Sequence, residues 1–370
     1  MKILAVDVGT GTQDILLFDS TGPVENCVKM VMPSPTQIAA GRIRRATRER
    51  RPVFLTGVIQ GGGPCHWALE DHLRAGLPAV ATPAAARTFD DDLEQVERMG
   101  VRIVSEDEVR GFDAERVDLR DVDLPAIRAA LAAFDVPPAF DGLALGCLDH
   151  GAAPPGYSDR LFRFDHLKRM VARRNDLRSF AMLPEELPDY LTRARTLVET
   201  ATRDDGDAPI VFLDTGPAAA LGALQDPAVA AEDEQIVLNL GNMHTLAFHL
   251  RGPRVLSLYE HHTGEVSGDQ ITAFTQRLIA GELTHEDIFT SKGHGAYYAP
   301  DRPAVSRERP IVAVTGPQRS KIAGSPLEPY MATPHGDMMI SGCFGLVQGW
   351  AMKHQDARGE IEAALGIAAA

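Results

Sequence analysis

The sequence predicts an α/β protein built as two related halves that face a shared cleft. Three observations predict it. Short apolar, β-branched runs alternate with helical stretches through the first half, the pattern of strands layered with helices. At 370 residues the chain has the length of two domains. A ten-residue pattern also recurs. Leu4-Ala-Val-Asp7-Val-Gly9-Thr-Gly-Thr-Gln13 aligns without gaps on Ile236-Val-Leu-Asn239-Leu-Gly241-Asn-Met-His244-Thr245. Each copy is an apolar strand, a small polar residue, a glycine, a polar turn and a second apolar strand. One hairpin opens each half, which predicts domains 1–204 and 205–370.

The elements follow in order. Strands are expected at Ile3–Val8, Ile15–Asp19, Cys27–Met32, Val53–Ile59, Ala79–Ala81, Val101–Val104 and Gly142–Cys147. Helices are expected between them at Thr36–Arg48, Pro64–Arg74, Asp90–Met99 and Leu124–Phe134. Thr88, with Asp91 three residues on, reads as the cap of the third. Residues 158–204 read as mostly helical, and the polar Thr202–Pro209 as a hinge. Strands resume at Ile210–Leu213, Ile236–Leu240, Leu246–Leu250, Val255–Tyr259 and Ile311–Val314, with helices at Gln270–Ile279 and Cys343–Met352. Residues 284–308, rich in Gly, His, Tyr and Pro, read as an irregular insertion.

Composition narrows the function. Asp and Glu number 51 against 37 Lys and Arg, a net charge of −14. Without a basic cluster the chain is a poor nucleic-acid binder, and Arg42–Arg51 reads as a solvated helix face. No run reaches the roughly 18 apolar residues of a membrane span, and the early Asp7 argues against a signal peptide, so a cytoplasmic protein is expected. Cys27, Cys65, Cys147 and Cys343 stand 38, 82 and 196 positions apart, without the close spacing of an iron–sulfur site.

The hairpins carry the chemistry. In Asp7-Val-Gly9-Thr10-Gly11-Thr12 the glycines allow close approach and successive amides make an anion-binding concavity. Asp7, at the strand end, is placed to hold Mg²⁺. Two such loops converging are what a nucleotide cleft requires. Asp149, after an apolar strand, is a candidate to accept a proton or orient a nucleophile, with His150 as the alternative; an Asx-turn is the structural reading of the same residue. Gly61-Gly62-Gly63-Pro64 exposes amides before a helix and is assigned to a second substrate, with His66 and, from the Glu260–Glu265 segment, His262 beside it. That segment reads as a polar substrate-side loop in preference to a transition-metal site.

The two hairpins resemble the first and second phosphate motifs of the actin/sugar kinase/heat-shock ATPase (ASKHA) superfamily. Thr215-Gly216-Pro217 through Gly222 is similar to the helix start that precedes the second phosphate motif in its hydantoinase branch, and Ile311 through Thr315-Gly316-Pro317 to its adenosine motif. The resemblance implies two ribonuclease-H-like, actin-like ATPase domains, with ATP and Mg²⁺ as cofactors. It also implies nucleotide contacts at Gly9, Thr10, Gly11, Thr12, Gln13, Asn239, Gly241, Asn242, His244, Thr245 and Gly316. Asn239 departs from the acid usual in the second motif, and Pro317 from its second adenosine glycine. The whole chain further resembles a family labelled pyruvate formate-lyase activating enzyme, through LAVDVGTGTQDILLFD, GGGP, LDHG, DTGPAAALGAL, LNLGNMHT and HGDMMISGCFGL. Enzymes properly so named use a three-cysteine iron–sulfur site that these spacings do not build.

The expectation is an ATP-binding phosphotransferase or ATPase acting on a small-molecule or protein substrate, with no nucleic-acid or membrane partner and a homodimer left open. Two alternatives stand beside it. One is an ATP-driven conformational activator of a partner enzyme, the other a degenerate scaffold without catalysis.

Overall fold

A computed structural model gives the architecture, with residues 1–109, 113–206, 208–302 and 309–367 described. The chain opens with a three-stranded antiparallel meander, β1 (Lys2–Val8), β2 (Thr12–Asp19) and β3 (Val28–Pro33). It then leaves this sheet to build a separate parallel one from β4 (Val53–Gly57), β5 (Ala79–Ala81), β6 (Val101–Ile103) and β7 (Glu115–Leu119), ordered β6-β5-β4-β7. It returns as β8 (Gly142–Cys147), β9 (Ala181–Met182) and β10 (Ile210–Asp214), giving a first sheet ordered β3-β2-β1-β8-β10-β9. Ile3–Val6 and all of β8 and β10 are buried, because helices cover both faces.

The second half repeats the plan. β11 (Gln235–Leu240), β12 (His244–Arg251) and β13 (Arg254–His262) form an antiparallel meander that β14 (Gly295–Tyr298) extends at the edge. β15 (Ile311–Thr315) and β16 (Tyr330–Met331) add in parallel on the other side of β11, for an order of β14-β13-β12-β11-β15-β16.

Two helices lie between the sheets. Thr215–Ala223 and Ser341–Lys353 are apolar around nearly their whole circumference, as helices packed on both sides must be. They touch backbone to backbone. A Cβ on Gly222 would collide with the Ser341 carbonyl, and one on Gly345 with the Ala218 carbonyl. One continuous core therefore joins residues of both halves, from Ile3 and Phe18 to Phe248 and Val347.

Several sequence expectations are corrected. The first sheet takes β10, so it runs past the expected boundary at 204/205, and the expected hinge begins inside the helix Thr192–Asp205. The helix expected from Asp90 is Leu93–Arg98 and is capped by Asp92, whose side chain accepts from the Glu94 amide; the Thr88 hydroxyl accepts from Gln60 N instead. Residues 284–308 contain the helix His285–Thr290 and β14, and 303–308 lie outside the described residues. Arg42, Arg44, Arg45 and Arg48 sit on the exposed face of the helix Pro35–Arg48, as expected. Among the described residues no helix is long and apolar enough to cross a membrane.

Candidate functional site

The two glycine turns meet. In the first, Gly9 N donates to the Thr12 carbonyl at 3.0 Å, and in the second Gly241 N donates to the His244 carbonyl at 2.9 Å. At either glycine a Cβ would stand 2.9 Å from that carbonyl, so the bond leaves no room for a side chain. The recurrence in sequence is thus a recurrence in geometry. Gly11 is so close to Asn242 that a Cβ there would run into its side-chain amide.

Between the turns lies a cavity of about 90 Å³, lined by Asp7, Gly9, Thr10, Thr12, Asn239, Gly241, Asn242 and Gly316, together with Asp14, Thr215, Met338 and Gly342. Asp14 was not foreseen. It is the register partner of Asp7 across the β1–β2 ladder, and antiparallel partners project to the same face. Counting outward from the turn would have found it. Thr215 Oγ1 donates to Asp7 Oδ1 at 2.7 Å, whereas Asp14 Oδ1 is buried with no hydrogen-bond partner. Burial raises Asp7 to about 6, opposed by the Thr215 hydroxyl. Burial and then the Asp7 charge raise Asp14 to about 7. In the second hairpin the equivalent pair is Asn239 and Leu246, so the acids belong to the first alone.

At the far side of the cavity Gly316 has φ +93 and its amide lies 3.2 Å from Met338 Sδ. Asn239 Oδ1 accepts from the Thr315 hydroxyl at 3.4 Å. Gly63, at φ +60, brings the GGGP loop to Thr10, with a Cβ position 3.5 Å from Thr10 Cγ2. Gly61 N is committed to Asp121 Oδ1 at 3.0 Å, and the Gly62 carbonyl takes the Thr36 hydroxyl.

Other expected site residues lie elsewhere. Gln13 donates to the Pro33 carbonyl at 3.1 Å and lines a separate apolar cavity of about 400 Å³ with Met30, Met32 and Ile38, because its pleat neighbour Thr12 takes the cleft side. Thr245 is fully buried against the Thr263 hydroxyl at 3.0 Å. His66 faces Glu70 at 3.6 Å and Phe89. Asp149 spends both oxygens on backbone, accepting from Gly151 N at 2.8 Å and Ala194 N at 2.9 Å. It pins a loop to a helix start and is the Asx-turn of the structural reading.

His150 and His244 do not turn to the phosphate cavity. They meet each other, with Nε2 atoms 3.2 Å apart, and His294 joins at 3.4 Å from His150 Nε2. The His262 ring lies 4.5 Å from His294 and 5.0 Å from His244, centre to centre. Burial pushes His150 down to about 3 and lowers His244 and His294 as well, so these imidazoles are neutral. The expected loop at 260–265 is the end of β13 through His262 followed by a 3-10 turn, Thr263–Glu265. Glu260 and His262 point one way, and His261 points the other, stacked on Phe274.

Beneath the histidines a buried ion network ties the halves. Arg163 donates to Asp214 Oδ1 at 3.0 Å and to Glu260 Oε2 at 3.3 Å, with all three side chains at most 3% exposed. Burial opposes the Arg163 charge, but the two carboxylates hold it protonated.

Two sheets each built on a three-strand meander, continued in parallel from the first strand and closed on a cleft floored by glycine turns, make up an actin-like fold. Within it, the chain belongs to the family described as "Putative pyruvate format-lyase activating enzyme (DUF1786)", whose model matches residues 60–321. No curated protein matches the sequence. Among solved structures, the chain is similar to the Lmo2764 protein of Listeria monocytogenes, described as "a putative N-acetylmannosamine kinase", at 10% identity, 96% of this chain, 100% of that one and a TM-score of 0.37. It is similar to an actin-like ATPase-fold protein of unknown function from Bacteroides thetaiotaomicron, at 5% identity, 87% and 86% coverage and a TM-score of 0.33. It is also similar to the ethanolamine utilization protein EutJ of Carboxydothermus hydrogenoformans, at 10% identity, 94% and 89% coverage and a TM-score of 0.31.

Proposed function

We propose that this protein binds a magnesium–nucleotide complex at the floor of the cleft and acts on its terminal phosphoryl group. The observation that carries the reading is the convergence of Asp7, Asp14 and both glycine turns on one cavity. The donor set fits a hard cation. Two carboxylates share a face, and one oxygen of Asp14 is buried without a partner. Asp7 and Asp14 would hold Mg²⁺, which supplies neutralisation of phosphate charge when bound.

The chain's own residues do the positioning. The Thr215 hydroxyl fixes the Asp7 rotamer, and Gly342 leaves the space its other oxygen occupies. The turns around Gly9–Thr12 and Gly241–Asn242 present amides to phosphate oxygens. Asn239, uncharged, orders water rather than binding the ion. The cavity of about 90 Å³ has room for a phosphoryl group and a few waters, and not for a nucleoside. On this reading the nucleoside extends toward Gly316 and Pro317, where Met338 Sδ lies 3.2 Å from the Gly316 amide.

Three of the four cysteines are buried, all four are free, and none joins a three-ligand group among the described residues, so no radical iron–sulfur step is assigned to this chain. A second reading, nucleotide turnover that drives activation of a partner enzyme, draws on the family's description. Phosphorus NMR of ATP with Mg²⁺ and a panel of metabolites separates phosphate release from transfer. Asp7→Asn is expected to slow either by about 100-fold or more. Undiminished turnover in that variant sinks the assignment.

A further inference from the structure

We propose that His150, His244 and His294 form a binding site for a divalent transition-metal ion of the zinc class, with His262 beside its open position. The site stands apart from the Asp7–Asp14 cavity and does not depend on the nucleotide reading.

The geometry is that of a ligand set. One candidate nitrogen from each of the three side chains lies within 4.8 Å of the others. The two Nε2 contacts to His150 measure 3.2 and 3.4 Å. Nitrogens bound tetrahedrally to zinc at about 2.0–2.1 Å stand about 3.3–3.4 Å apart, so these spacings are those of a shared ion. Hydrogen bonding alone does not account for them. His150 Nε2 carries one proton or one lone pair, and it faces two other Nε2 atoms. One of those two contacts therefore lacks a proper partner unless a cation lies between.

Arg163, the guanidinium beside the histidines, is countered by two carboxylates. Arg163 with Asp214 and Glu260 leaves one net negative charge, and Arg163 Nη1 donates to the Asp149 carbonyl at 3.2 Å, one residue from His150. Imidazoles without a carboxylate ligand select zinc, cobalt, nickel or copper over Mg²⁺ or Ca²⁺. Three histidines leave a fourth coordination position for water or substrate, the arrangement of a reactive site more than of a closed structural one.

The ligands also come from both halves. His150 follows β8 of the first sheet, while His244 begins β12 and His294 precedes β14 of the second. An ion here fastens the cleft, so binding is expected to raise the melting temperature.

Cobalt is the probe. EDTA-treated full-length protein is titrated with CoCl₂, then separately equilibrated with ZnCl₂, desalted and assayed for metal content. The expected result is the intense visible d–d absorption of tetrahedral cobalt, saturating near one equivalent, and about one zinc retained per chain. His150→Gln and His294→Ala are each expected to lower affinity by at least about tenfold, while His354→Gln, outside the cluster, leaves it unchanged. Wild-type protein that shows no such band and retains no zinc overturns the proposal, whether or not the variants fold. Equal loss in His354→Gln overturns it too.

Discussion

Asp7 and Asp14 face each other across the β1–β2 ladder as register partners, and their carboxyls share one small cavity. A buried and a half-buried acid so placed repel, and the fold keeps both. The pair makes sense when a cation is to be held between them. Asp14→Asn is therefore expected to stabilise the metal-free protein by about 1–3 kcal/mol at neutral pH and to abolish most of the stabilisation that Mg²⁺ gives the wild type. Urea unfolding with EDTA and with MgCl₂ checks both signs. Equal Mg²⁺ stabilisation in the two proteins contradicts the pairing.

The strands of the first sheet, the two-residue β9 excepted, and the echoing hairpins were legible because β-branched runs and a glycine turn are local signals. Asp14 was hidden, since its role depends on register and not on its neighbours. β7 was missed for a similar reason: Glu115-Arg-Val-Asp-Leu119 is charged on one face, and only pairing with β4 makes it a strand. The histidine cluster draws on positions 150, 244, 262 and 294, which no spacing rule connects. β10 looked like the start of a second domain because a polar stretch precedes it, yet hydrogen bonding to β8 claims it for the first sheet.

His166 is buried, with Nδ1 3.1 Å from the Tyr190 hydroxyl, and burial lowers it to about 4, helped by the Arg163 charge. A base whose folded value lies below its unfolded value of about 6.5 stabilises the protein fully above pH 6.5. That stability is lost as pH falls toward 4, because the unfolded chain takes up the proton first. The loss amounts to about 3 kcal/mol at most. Urea midpoints measured between pH 7.5 and 4.5 should fall less in His166→Gln than in the wild type. Parallel pH curves would remove His166 as the cause.

Gly345→Ala is expected to destabilise the protein by about 1–3 kcal/mol or more, because its Cβ meets the Ala218 backbone and neither helix can yield. Gly359→Ala, whose Cβ meets open space on an exposed helix, should be neutral or slightly stabilising. Thermal melts of the two variants decide it, and similar melting temperatures would deny the tight crossing of the two helices.

Arg163→Met leaves Asp214 and Glu260 buried with no cation between them, and is expected to cost about 3–5 kcal/mol. Restoring neutrality with Arg163→Met, Asp214→Asn and Glu260→Gln together should recover part of that loss. A single variant as stable as the wild type would show that the network does not join the halves.

The central claim is that the two glycine turns and the Asp7–Asp14 pair bind a nucleotide with its metal. Isothermal titration of EDTA-treated wild-type protein with ATP, with and without MgCl₂, tests it most directly. The account predicts one site per chain in the presence of Mg²⁺, weakened at least about tenfold without it and lost in the Asp7→Asn, Asp14→Asn double variant. No heat of binding under either condition, or equal binding by the double variant, contradicts it.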